Sequence, residues 1–182
     1  SQEILQSKFE EYFFTRAGQY SYKHLLPPQY HYACSISIEI VANFLRLTNK
    51  SLSLIHPTFD NLADIFNRHK INLTPIEELE LLDVEKLNKV STDALMIVCP
   101  NNPTGQELTK KQFEDIVSVC KKKKILLIVD FSFRLYSSFK LWDQYMILYK
   151  SGIDFIVLED TGKTFPTLDL KLGILLSSES VY

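Results

Sequence analysis

Residues 94–130 read ALMIVCPNNPTGQELTKKQFEDIVSVCKKKKILLIVD, and this stretch decides the fold. It opens on a continuous apolar run at 94–99, passes through a segment rich in Asn, Pro and Gly, and closes on a second apolar run at 125–130. Short uninterrupted apolar runs mark strands buried on both faces of a parallel sheet. Between them, Phe113, Ile116, Val117 and Cys120 recur at helical spacing over 109–122, and Thr109 with Gln112 makes a capping box. The four lysines at 121–124 close that helix. Cations favour the negative end of the helix dipole there, so they read as a solvated terminus and not a binding patch. Strand, helix and strand in this order make a βαβ unit with a right-handed crossover.

The same alternation extends in both directions. Further strands are expected at 30–34, 51–56, 71–75, 154–159 and 171–177, the last returning antiparallel. Helices are expected at 35–47, with Ile36, Ile40, Phe44 and Leu47 as the apolar stripe, and at 58–69, with Phe59, Leu62 and Phe66. The fold class is therefore α/β: three layers, α/β/α, around a mainly parallel seven-stranded sheet. An amphipathic helix at 3–16 precedes the alternation, and Pro27-Pro28 marks the break. The expected organisation is a helical arm at 1–28 and a large domain at 29–182.

Composition narrows the classes of function. The chain has 182 residues, 46% of them hydrophobic and 23% charged, with a net charge of −2. That is enough to bury a core, and the near-neutral balance argues against a nucleic-acid groove. No apolar run reaches membrane-spanning length and no signal peptide is visible, so neither a membrane nor a nucleic acid is an expected partner. Cys34, Cys99 and Cys120 are an odd number without metal-type spacing, and Cys99 and Cys120, on apolar faces, read as reduced core residues of a cytoplasmic protein. His24, His31, His56 and His69 show no ligand pattern, so no metal site is expected. The chain starts without Met and ends on an apolar segment, which suggests a fragment or a processed chain.

Ligands of open α/β sheets sit beyond the carboxyl ends of the strands, so the residues just past each strand carry the chemistry. Asn101-Asn102-Pro103-Thr104-Gly105 follows a buried strand, although its residues are also ordinary turn formers. Asp130 ends an apolar run. A carboxylate there needs a partner, either a helix to cap or a cationic ligand atom. Lys163 lies just past another apolar run, where a lysine can serve Schiff-base chemistry or simply face solvent.

Taken together, in this order and spacing, Asn-Asn-Pro-Thr-Gly at 101–105, Asp130, Lys163 and Lys171-Leu-Gly173 resemble the fold-type I pyridoxal-phosphate (PLP) enzymes, with class I/II aminotransferases the nearest group. The resemblance covers about residues 30–178 and implies the large domain of such an enzyme. It implies Lys163 as the Schiff-base lysine, Asp130 as the carboxylate that keeps the pyridine nitrogen protonated, and Asn102 as the donor to the ring oxygen. Lys171 stands where a phosphate-binding arginine is usual. Ser35 is similar to the hydroxyl residue that binds phosphate with the amides of a helix start. Phe59 matches the aromatic residue that stacks on the ring, although its spacing with Leu62 and Phe66 also permits a core role. The resemblance further implies an amino-acid substrate, a homodimer, and a C-terminal small domain that is absent here or supplied by a second polypeptide.

Four departures bear on function. Cys34 replaces a phosphate-loop glycine, Phe133 replaces a tyrosine that donates to the ring oxygen, and Lys171 lacks the bidentate fork of arginine. Asp160 replaces a serine that helps to bind phosphate. A carboxylate about 4 Å from a phosphate charge costs roughly 4 kcal/mol at an effective dielectric near 20. Asp160 must then be protonated, turned away, or engaged with something else, such as a substrate cation or the lysine. Asp160-Thr-Gly-Lys163-Thr-Phe-Pro, with Asp130-Phe-Ser132, is similar to the PLP-dependent arginine oxidase/hydroxylase branch, which uses O2 in place of a keto acid. Transamination is the expected activity. An amino-acid oxidase and a catalytically silent domain are the alternatives.

Overall fold

The computed structural model describes residues 1–137, 141–166 and 169–182. In chain order the elements are α1 (Gln2–Arg16), β1 (Gln29–His31), α2 (Cys34–Leu47), β2 (Leu52–His56), α3 (Asp60–Arg68), β3 (Leu73–Glu77), α4 (Val84–Leu87), β4 (Ala94–Val98), α5 (Lys110–Lys123), β5 (Leu126–Asp130), α6 (Gln144–Ser151), β6 (Phe155–Asp160) and β7 (Gly173–Ser177). Single 3-10 turns occupy Tyr20–His24, Glu78–Leu82 and Arg134–Tyr136.

The strands form one seven-stranded sheet in the order β1-β7-β6-β5-β4-β2-β3. β2 to β6 pair in parallel, while β7 runs antiparallel to both β6 and β1. Hence β1 points the same way as β2 to β6, and β7 alone runs against them. Right-handed crossovers then fix the layers. The steps from β1 to β2 and from β2 to β3 run one way across the sheet and put α2 and α3 on one face. The steps from β3 to β4, β5 and β6 run the other way and put α4, α5 and α6 on the opposite face. The contacts agree: α2 packs on α3 and on β6 and β7, whereas α5 packs on α4, α6 and β5.

The central strands β4 and β5 are buried along their whole length, as their continuous apolar runs require. Thr109 and Gln112 form the expected reciprocal cap of α5, and Phe113, Ile116, Val117 and Cys120 are buried. Lys124 adopts the left-handed conformation at the helix end after three basic residues in the last turn.

Two expectations fail. In α2 the buried face is Cys34, Ser37, Ile38, Val41, Ala42 and Leu45, while Ile36, Ile40 and Leu47 are exposed. The helix is apolar around most of its circumference, so two stripes share the helical period and spacing cannot choose between them. Ser37 and Ala42, both small, are fully buried on that face. α1 is likewise not amphipathic along its length: only Phe13 and Phe14 are buried, and Ile4, Leu5 and Tyr12 face solvent. Those two phenylalanines, with Tyr22, join the single hydrophobic core. Cys34, Cys99 and Cys120 are all free and buried. Among the described residues no helix is long and apolar enough to cross a membrane.

Candidate functional site

The direction of travel across the sheet reverses between β4 and β2. The loops after these strands diverge and leave a crevice at their carboxyl ends, where open α/β sheets bind ligands. A cavity of about 260 Å3 opens there. Because β1 to β6 all end on this rim and β7 begins on it, segments remote in sequence meet. The nine side chains expected to hold the cofactor, and Phe133 with them, line the cavity. Cys34 and Ser35 come from the start of α2, Phe59 from the turn before α3, and Asn102 from the loop after β4. Asp130 and Ser132 come from the end of β5, Asp160 and Lys163 from the end of β6, and Lys171 from the approach to β7. A larger depression of about 610 Å3 lies at the opposite rim, but among the described residues no lysine or arginine lines it.

Asp130 sits at the centre of the site and is buried. Its Oδ1 accepts the Ser132 N–H at 2.8 Å and the Ser132 hydroxyl at 2.5 Å. Among the described residues no cation pairs with it. Burial pushes its pKa from the ordinary 3.8 up to about 6; the Ser132 donations oppose that rise, and the nearby Glu159 and Asp160 charges add to it. Cys34 Sγ lies 3.5 Å from Ser132 Oγ. Burial above all, and then the Asp130 charge, hold its thiol protonated.

Lys163 lies in the turn after β6, which the Thr161 carbonyl closes by accepting from the Thr164 and Phe165 amides. The Tyr136 hydroxyl donates to the Lys163 carbonyl at 2.6 Å, and Lys163 Nζ stands 5.7 Å from the centre of the Phe133 ring. Phe59, for which a core role was open, is 47% exposed, whereas Leu62 and Phe66 are buried. Its ring borders the cavity instead of filling the core.

Two glycines allow close approaches at the edge of the cavity. A Cβ on Gly173 would stand 2.6 Å from the Ala33 carbonyl carbon and oxygen and 2.6 Å from the Cys34 nitrogen. Bare backbone at Gly173 therefore lets the start of α2 rest directly on β7. Among the described residues no side chain caps the amides of this fourteen-residue helix, and its positive end, at Ala33 to Ser35, borders the cavity. A Cβ on Gly162 would similarly meet Lys171 Cβ at 2.8 Å, so Lys171 crosses close over the 160–163 turn. Of the alternatives left open for Asp160, its carboxylate is engaged by its own turn: Oδ1 accepts the Gly162 N–H at 2.6 Å.

Two parts of the site were not anticipated. Behind β5 and β6, the buried Arg134 donates through Nε and Nη2 to Glu159 Oε1 at 3.0 and 2.7 Å, and through Nη1 to Gln144 at 2.5 Å. Tyr145 donates to the same Glu159 oxygen at 2.6 Å, and the guanidinium lies 3.7 Å from the centre of the Phe131 ring. This cluster ties the Asp130–Phe133 turn to the strand end that leads to Lys163. The one local signal is Glu159, a carboxylate that directly follows the apolar run Phe155–Leu158 as Asp130 follows its own. The second part is Glu78, which holds the 101–105 loop and which no local pattern marks.

The chain matches the family model "Aminotransferase class I and II" over residues 33–182. It is 30% identical over 152 residues to aromatic-amino-acid aminotransferase 2 of Thermococcus litoralis, covering 78% of this chain and 38% of that protein. Among solved structures it is similar to MppP, solved after soaking with the product 2-ketoarginine, with a TM-score of 0.88 and 34% identity over 98% of this chain and 51% of that one. An aromatic-amino-acid aminotransferase from Burkholderia pseudomallei, covalently bound to pyridoxal phosphate, shares the fold, with a TM-score of 0.67 and 15% identity over 84% of this chain and 42% of that one. The chain thus spans about half, or less, of the length of each of these proteins.

Proposed function

The chain belongs to the class I and II aminotransferases, and on that premise we propose that residues 29–182 are the PLP-binding large domain of an amino-acid aminotransferase, preceded by an arm at 1–28. One observation carries the reading. A buried carboxylate (Asp130) with no cation beside it among the described residues, a lysine (Lys163) and a side-chain amide (Asn102) line one cavity at the N-terminus of α2. That set suits pyridoxal phosphate: an anion for the ring nitrogen, an amine for the aldehyde, a donor for the ring oxygen and free amides for the phosphate. Ser35 and Lys171 would share the phosphate end, with Asp160 drawn back by Gly162. Phe59 would cover one ring face.

Bound pyridoxal phosphate supplies an aldehyde that condenses with amines and a ring that accepts electron density from the substrate Cα. Asp130, itself held by Ser132, would keep the proton on the ring nitrogen. Lys163 would hold the aldehyde end of the cofactor, and its Nζ is the amine that would take up a proton from the substrate Cα. Exposed Ile36 and Ile40 on the outer face of α2 support a homodimer, and the three free thiols support a cytoplasmic setting.

A second reading rests on one observation, the 34% identity to MppP over nearly the whole chain. Together with the Asp160-Thr-Gly-Lys163 sequence, it supports an amino-acid oxidase that uses O2. Titration with PLP tests the shared premise: a visible band should grow with wild-type protein and stay absent with Lys163→Ala. With the loaded protein and an amino acid, keto-acid-dependent turnover supports transamination, O2 uptake without a keto acid supports the oxidase, and a loaded but inert protein supports a silent domain.

A further inference from the structure

Asn101 is buried and precedes the cavity-lining Asn102. Its Nδ2 donates to the Pro57 carbonyl at 2.8 Å and to Glu78 Oε1 at 2.7 Å. Both neighbours are acceptors, so the amide orientation is fixed by its partners. The same Glu78 oxygen accepts the Thr104 hydroxyl at 2.5 Å. In turn, Thr104 Oγ1 accepts the Gln106 N–H at 3.2 Å, and the Asn101 backbone closes the loop through Gln106 and Gly105. The strand order here is β4-β2-β3. Glu78, just past β3, therefore reaches over the end of β2 to hold the loop of β4, with Asn101 pinning the β2 loop on the way. The two loops it joins carry Asn102 and Phe59, which border the cavity from different strands.

We propose that Glu78 is a positioning residue: its carboxylate, through Asn101 and Thr104, sets the placement of Asn102 and Phe59 against the cofactor. It does not itself line the cavity, and it acts as an acceptor and not as a charge. The inference rests on the PLP reading for its functional consequence, but the clamp itself can be read without cofactor. Glu78→Ala removes the acceptor, Glu78→Gln keeps one, and Asn101→Asp sets a carboxylate against Glu78 and the Pro57 carbonyl.

In cofactor-free protein, hydrogen exchange of the amides at 101–106 should accelerate about tenfold or more in Glu78→Ala and Asn101→Asp, and stay within about twofold of wild type in Glu78→Gln. Exchange in β4 and β5 is the control for a folded sheet. With cofactor, Glu78→Ala should weaken PLP binding about tenfold, equivalent to roughly 1.4 kcal/mol. The pH midpoint of its visible band should rise, because a displaced Asn102 no longer stabilises the ring oxygen's negative charge; Glu78→Gln should leave both unchanged. Wild-type exchange at 101–106 in Glu78→Ala, or equal damage from Glu78→Gln, overturns the clamp. Accelerated exchange with an unmoved affinity and pH midpoint overturns its role toward the cofactor. A wild-type protein that shows no band with PLP instead defeats the cofactor reading, and the exchange result still decides the clamp.

Discussion

Asp130→Asn should stabilise the cofactor-free protein at neutral and alkaline pH while weakening its hold on PLP. Asp130 is buried with no cation beside it among the described residues, and its pKa stands at about 6 against 3.8. The folded state therefore binds this proton more tightly than the unfolded chain does. Stability from this group is fully present below 3.8, is lost as pH rises towards 6, and is constant above that. At about 1.4 kcal/mol for each tenfold change in proton affinity, the cost at pH 8 is about 3 kcal/mol. Asparagine is isosteric, and its Oδ1 can still accept both Ser132 donors, so most of that cost should be recovered.

Urea unfolding of the apo forms reads this directly. The variant's midpoint should exceed the wild type's at pH 8, and the gap should close as pH falls through 6 towards 4. Saturating PLP should reverse the order in favour of the wild type, because a protonated ring nitrogen supplies the missing cation and the amide cannot match it. An apo variant less stable than wild type at pH 8 would refute the reasoning, since the carboxylate would then already be satisfied.

Other perturbations follow from the same geometry. Gly173→Ala must displace the start of α2, so PLP affinity should fall at least tenfold while affinity for pyridoxal, which lacks the phosphate, changes little; equilibrium titrations with both compounds check this. Arg134→Met leaves Glu159 buried and unpaired and should cost about 3–5 kcal/mol in urea unfolding, whereas Arg134→Met with Glu159→Leu should recover much of the loss. Phe133→Tyr returns a hydroxyl near Lys163 and should lower the pH midpoint of the visible band; an unchanged midpoint would mean that the hydroxyl does not reach the ring oxygen. Phe59→Leu should weaken PLP binding several-fold without lowering the apo unfolding midpoint, because this ring borders the cavity and not the core.

The sheet was legible because its central strands are buried on both faces and so carry uninterrupted apolar runs. Its rim was legible because parallel strands must end together. That is why Lys163, Asp130 and Asn102 could be brought to one edge before any contact was known. The face of α2 was not legible, since Ile36 and Ile40 compete with Ile38 and Val41 for the same period and only the close approach to β7 selects between them. α6 escaped notice because its buried face includes Gln144, a polar residue whose reason for burial is Arg134, ten positions away. Glu78 is beyond local reading altogether: its partners Asn101 and Thr104 become neighbours only when β2 comes to lie between β3 and β4.

The central claim is that Lys163 holds the cofactor, and borohydride reduction of PLP-treated protein tests it most directly. After digestion, peptide mass spectrometry should find the reduced cofactor on the peptide that contains Lys163, with labelling lost in Lys163→Ala and strongly reduced in Asp130→Asn. An unmodified Lys163, or label spread over the surface lysines at 121–124, would contradict the account.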